Sequence, residues 1–182
     1  MKPGRKIFTL HGFTLVELMT VVAIIAILAM FAAPEVINWR PKMRLKGAAD
    51  TLSENLQRAK MHAIKNNVRV VLTFTAGTGA PARTCTGGSY RFVDSSPAAI
   101  VVAAETFNDL TTPESTARTS GLCLQASTFA AGEGFTPRGL TIGAGGGVVT
   151  LSNTSLTASG DPTYVITQTV AGGIQLQKVL YP

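Results

Sequence analysis

Apolar and polar residues change their spacing along the chain, and each spacing predicts a different element. Residues 13–33, FTLVELMTVVAIIAILAMFAA, hold only three polar positions: Thr14, Glu17 and Thr20. A run so evenly apolar predicts a helix about 31 Å long, close to the ~30 Å hydrocarbon thickness of a bilayer. Further on, Leu45, Ala49, Leu52, Leu56, Ala59 and Ala63 recur at steps of three and four. That is the stripe of an amphipathic helix, and it needs a surface to pack against. Read as one element ending near Asn66 and Asn67, the helix would be about 80 Å long. Pro34 and Pro41 each remove a backbone donor and are expected to bend or locally open it.

After Asn67 the period falls to two. Val68, Val70, Leu72 and Phe74 alternate with Arg69, Val71, Thr73 and Thr75, which is a strand-like pattern apart from Val71. Further β-like runs cover residues 90–93, 100–103, 122–124, 148–151, 164–168 and 174–180, separated by stretches rich in Gly, Pro, Thr and Ser. The last two flank Ala171-Gly172-Gly173, a hairpin signal. The expected fold class is α+β: a long N-terminal helix, membrane-spanning in front (13–34) and amphipathic behind (35–67), packed on a β-rich domain (68–182).

Charge sharpens this division. The formal net charge is +6, but residues 1–69 hold 11 of the 16 Lys+Arg and 4 of the 10 acidic residues, giving +7, and the remainder holds 5 and 6, giving −1. Basicity therefore belongs to the N-terminal third and is weak grounds for a nucleic-acid partner. Within it, Arg40 and Arg44 share one helical face, as do Lys42 and Lys46. Anionic lipid headgroups, acidic positions on neighbouring subunits, DNA and plain solvation all remain open for that face. The cations of residues 1–12 favour a cytoplasmic N-terminus, but Arg40, Lys42, Arg44 and Lys46 beyond the span weaken the asymmetry.

Residues 1–12, MKPGRKIFTLHG, are short and basic and end in glycine. A secretory signal peptide fits the basic start, but no A-x-A lies between Phe13 and Pro34, and Glu17 interrupts the apolar core. An uncut signal anchor is the other alternative. The sequence Gly12-Phe13-Thr14-Leu15-Val16-Glu17 resembles the type IV prepilin cleavage motif. That resemblance implies a 1–12 leader, cleavage between Gly12 and Phe13 by a prepilin peptidase, and methylation of Phe13. Glu17 becomes the fifth residue of the mature chain, matching the family's near-invariant glutamate, and Pro34 falls where many members have a helix-kinking proline. In the family that glutamate meets the N-terminal amine of a neighbouring subunit. A carboxylate at a bilayer centre costs about 2.5–3.5 kcal/mol unless paired, and a methylated amine keeps its charge, so Glu17 has a cation within reach.

Ala59, Ala63, Ile64, Val68 and Val70, the loop Phe135-Thr136-Pro137-Arg138-Gly139 and the terminal hairpin together resemble the GspH/FimT class of minor pilins and pseudopilins. Some FimT-type proteins bind DNA through a Gly-Arg-x-Arg hairpin. Here the same region reads Gly172-Gly173-Ile174-Gln175-Leu176-Gln177-Lys178, without the arginines.

Two cysteines, Cys85 and Cys123, match no zinc or redox spacing. If the domain is exported, oxidising conditions predict a disulfide between them, and free thiols are the alternative. His11 lies in the leader and His62 on the amphipathic helix, where a solvated or partly packed role is expected. Gly143-Ala144-Gly145-Gly146-Gly147 lacks the G-K-[ST] of a phosphate loop. No catalytic constellation, cofactor site or metal site emerges, so the expectation is a structural, non-enzymatic subunit without a cofactor. Its expected partners are other pilin or pseudopilin subunits, the prepilin peptidase, an inner-membrane assembly platform and membrane lipid, with nucleic acid the minor alternative. Its expected location is the bacterial inner membrane, single-pass, with the globular domain in the periplasm. A membrane-anchored periplasmic enzyme or receptor is the reading from another class.

Overall fold

The computed structural model describes residues 14–78, 85–107, 121–130, 132–143, 146–156 and 159–180, without the side chains of 31–38, 86, 126 and 127. It divides into two compact units, Met1–Asn38 and Trp39–Pro182. Helix α1 (Leu15–Asn66) is assigned without a break through Pro34 and Pro41, so neither proline opens a non-helical segment.

In the second unit the helix ends where the sequence suggests, and the backbone explains why. Asn67 takes a left-handed φ of 54°. Its N–H then donates to the Ile64 carbonyl at 3.4 Å, and the Val68 N–H donates to the Ala63 carbonyl at 3.1 Å. These two bonds are the Schellman arrangement, which satisfies carbonyls left over at a helix C-terminus. Asparagine tolerates the left-handed region better than most residues because its short polar side chain bonds locally.

Among the described residues nine strands follow: β1 (Val70–Thr78), β2 (Thr86–Asp94), β3 (Val101–Thr106), β4 (Leu122–Ser127), β5 (Gly134–Phe135), β6 (Thr141–Ile142), β7 (Val148–Asn153), β8 (Pro162–Gln168) and β9 (Ile174–Leu180). They form one sheet in the order β6-β5-β1-β2-β4-β7-β8-β9, with β3 also paired to β2. All pairs are antiparallel except β2 with β4, which meet at the single parallel bridge Gly87↔Cys123. That bridge is a seam between two antiparallel groups of strands. Cys85 and Cys123 are joined by a disulfide there, with Cα atoms 5.7 Å apart. At the other margin, the Thr141 hydroxyl on β6 donates to the Thr169 carbonyl just after β8 at 2.7 Å. The Gln168 side-chain amide in turn donates to the Thr141 hydroxyl at 3.1 Å. The strand order therefore curls until β6 approaches β8.

Every member of the predicted stripe is fully buried: Leu45, Ala49, Leu52, Leu56, Ala59 and Ala63. They share one core with Val70, Leu72, Tyr90, Phe92, Leu122, Leu124, Phe135, Val149, Leu151 and Ile166 from the sheet. The helix contributes leucines and small alanines to this core, and the sheet contributes aromatic rings. Phe74 sits 4.7 Å from Phe129 and 5.6 Å from Phe92, centroid to centroid, which are favourable tilted and edge-to-face spacings.

Candidate functional site: the capped apolar helix and the far helix end

The first unit presents the start of α1. Thr14 is its N-cap: the threonine hydroxyl accepts from the Glu17 N–H at 3.2 Å, and the Thr14 carbonyl accepts from the Leu18 N–H at 3.1 Å. Threonine followed three residues later by glutamate is the capping-box pattern, which satisfies donors orphaned at a helix start. Thr14 and Glu17 of the motif thus have a local job in placing the helix N-terminus. Glu17 lies in the first turn, where a carboxylate is favoured by the helix dipole. Its backbone carbonyl accepts from the Thr20 hydroxyl at 2.8 Å.

Every residue from 14 to 30 is exposed. The large apolar side chains among them, from Leu15 to Met30, range from 47% to 77% accessible. A helix apolar all round is suited to lipid or to other apolar helices, not to water. Among the described residues no helix is long and apolar enough to cross a membrane; the expected span 13–34 extends beyond them, at Phe13 and at the side chains of 31–34. Gly12, Phe13 and His11 lie outside the described residues, as do the side chains of 31–34, Pro34 among them.

The far end of α1, in the second unit, gathers three segments that are distant in sequence. Val70 pairs with Phe135 across β1 and β5. The loop after β5 is closed by Thr136, whose N–H donates to the Leu140 carbonyl at 2.8 Å and whose carbonyl accepts from the Gly139 N–H at 2.8 Å. Gly139 packs against Ile64 of the helix, and a Cβ there would meet the Ile64 Cδ1 at 2.8 Å. The turn between β8 and β9 lies on the same loop: a Cβ on Gly172, whose φ is +73°, would overlap the Gly139 carbonyl oxygen. Lys60 fastens the turn by donating from Nζ to the Gly172 carbonyl at 2.9 Å. In β9, Gln175, Gln177 and Lys178 are exposed, with no arginine beside them.

His62, expected to be solvated or partly packed, has a defined partner. Its Nε2 lies 3.0 Å from Asp94 Oδ2, and its Nδ1 lies 3.1 Å from Asn66 Nδ2. Both contacts suit the tautomer with the proton on Nε2. The other oxygen of the buried Asp94 accepts from the Ser96 hydroxyl at 2.6 Å, the Ser96 N–H at 3.2 Å and the Ile100 N–H at 2.9 Å. These bonds, the Ser96 hydroxyl first and His62 next, outweigh desolvation and lower the Asp94 carboxyl to about 2. One carboxylate therefore closes the β2–β3 turn and ties it to the helix. A second polar chain crosses the middle of the unit: the Asn55 amide donates to the Tyr90 hydroxyl, which donates to Glu105 Oε2, both at 2.8 Å. Burial, then the hydrogen bond to Glu105 and its charge, raise the Tyr90 phenol.

Lys60 and Asp94 were not singled out in the sequence, and nothing local marks either. Among the described residues no group of three or more His, Cys, Asp or Glu side chains could hold a metal ion.

The chain matches the family model described as the prokaryotic N-terminal methylation motif, over residues 11–33. It is similar to the type IV minor pilin FimU of Pseudomonas aeruginosa at 17% identity, covering 73% of this chain and 87% of that chain with a TM-score of 0.45. No curated protein matches it. With the methylation motif at the head of a helix whose rear half packs on a β-sheet domain, the chain is similar to type IV pilin-like proteins.

Proposed function

We propose that the chain is a minor pilin or pseudopilin subunit of the GspH/FimT kind, built into a type IV pilus or a type II secretion pseudopilus. Its precursor is anchored in the bacterial inner membrane by the front of α1, with the β domain in the periplasm. A prepilin peptidase cuts between Gly12 and Phe13, and Phe13 is methylated. An assembly platform then inserts the mature subunit among other pilins. Glu17 is the fifth residue of the mature chain, so it can neutralise its own amine in the membrane and a neighbour's in the filament. The subunit makes and breaks no bonds itself.

The observation that carries this reading is the position of the helix cap. The scissile bond between Gly12 and Phe13 precedes the N-cap Thr14 by one residue, so cleavage removes residues 1–12 without cutting into the helix that starts at Leu15. What remains begins with an apolar helix exposed on every side.

Co-expression with a prepilin peptidase tests processing. The expected intact mass is that of residues 13–182 plus one methyl group, and Gly12→Leu is expected to keep the full precursor mass. A wild-type chain that stays uncut would overturn the cleavage assignment. Glu17→Ala is expected to be cut normally yet fail to enter filaments. Normal assembly of that variant would refute the pairing, whereas a wild-type chain that never enters a filament would favour a membrane-anchored periplasmic enzyme or receptor.

A further inference from the structure

The outer face of α1 at the start of the second unit carries chemistry that neither the core nor the turns use. Residues 39–46 read WRPKMRLK, with four cations and no anion. Leu45 is fully buried, which turns the opposite side of the helix to solvent. Trp39, Met43 and Lys46, spaced i, i+4 and i+7, form one row there, flanked by Arg40 and Lys42. Trp39 is 58% exposed and Met43 48%.

The cations divide into engaged and unengaged. Lys42 reaches Asp161 at 3.3 Å. Arg44 lines a groove beside Glu105 and has bonding partners of its own. Arg40 and Lys46 are exposed and make no ion pair among the described residues. A bulky indole held more than half exposed on the same outer face as these two cations gains little from the fold itself. Indole with Lys and Arg is the combination that settles at the headgroup level of a bilayer. The ring lies among the headgroups, and the long apolar stems let the charges reach phosphate. The row is about 10 Å long, and it follows the apolar stretch 14–30 after only eight intervening residues.

We propose that Trp39, Arg40 and Lys46 form a docking surface for the headgroups of anionic phospholipid. The proposal rests on the membrane-anchored precursor above, and it adds a lipid class and the residues that select it. A surface of this kind holds the base of the β domain at the bilayer before assembly. It also biases the lipid shell around the helix toward negative charge.

Trp39 is the only tryptophan, so the indole emission of the whole chain reports this one site. The full-length chain is reconstituted into phosphatidylcholine vesicles with rising fractions of phosphatidylglycerol. Emission is expected to shift to the blue as that fraction rises and to return in 1 M salt, where the screening length falls to about 3 Å. In parallel, spin-labelled phosphatidylglycerol is compared with spin-labelled phosphatidylcholine in the lipid shell that contacts the protein. Its preference is expected to fall on the order of fivefold for each of Arg40→Gln and Lys46→Gln. Emission indifferent to the anionic fraction overturns the proposal, as does a preference unchanged in the double variant. A blue shift that follows protein density at fixed lipid composition assigns the face to a second copy instead and also overturns it. Failure of the chain to enter the vesicles sinks both this proposal and the membrane anchor. A chain that responds to phosphatidylglycerol but is never cut by the peptidase supports the lipid surface and removes only the processing reading.

Discussion

Removing the Cys85–Cys123 disulfide tests whether the seam in the sheet needs a covalent clamp. The two antiparallel groups of strands share the single ladder bridge Gly87↔Cys123 and meet again where β6 approaches the end of β8, so few backbone bonds oppose their separation. The cysteines are 38 residues apart in sequence. In the chain-entropy model, cross-linking a loop of that length costs the unfolded chain about 13 cal/mol/K, or about 4 kcal/mol at 25 °C. Both side chains are fully buried, so Cys85→Ala with Cys123→Ala is the appropriate change; serine would bury two hydroxyls in search of partners. At roughly 3 °C per kcal/mol for a unit of this size, the melting temperature should fall by about 12 °C. The assay is thermal and urea denaturation of the full chain in detergent, followed by the near-ultraviolet signal of its aromatic cluster. Because the constraint acts on the unfolded chain, the urea m-value should also rise as that chain expands. A melting temperature within about 3 °C of wild type, with an unchanged m-value, would refute the clamp and show that packing alone closes the seam.

Leu56→Ala, at the middle of the buried stripe, should cost about 2–5 kcal/mol by urea denaturation, and a loss below about 1 kcal/mol would mean that the helix does not seat in the sheet as described. Stability should depend on pH through Asp94: its carboxyl is lowered in the folded state to about 2, so the contribution is fully present above the ordinary carboxylate range near 4 and is lost as pH falls toward 2. Denaturation measured across that window should show the loss in wild type and a smaller one in Asp94→Asn; equal acid sensitivity of the two would count against it. Gly172→Ala should destabilise the domain by about 1–3 kcal/mol from backbone strain at positive φ alone, with more added by the overlap with Gly139. Free amide exchange confined to the β8–β9 turn would locate the damage, and wild-type stability would contradict the close approach.

Features set by neighbours along the chain could be read without coordinates. The stripe from Leu45 to Ala63 follows from 3.6 residues per turn, and all six of its members are buried. The helix end at Asn66 and the β8–β9 hairpin follow from residues that suit the left-handed region and the tight turn. The motif at residues 11–33 is a matter of order alone, and its Thr-x-x-Glu doubles as a cap because capping is local. Other features depend on which distant segments pair. β5 and β6 have two residues each, too few to carry any period. Asp94 reaches His62 across 32 residues, and Lys60 reaches Gly172 across 112. Nothing in their local sequence selects those partners; the register of the sheet against the helix does. The parallel seam at Gly87 and Cys123 and the approach of β6 to β8 are likewise products of tertiary closure. The energy of such contacts is realised only when the loops between them have closed, and local dihedral preference carries no record of it.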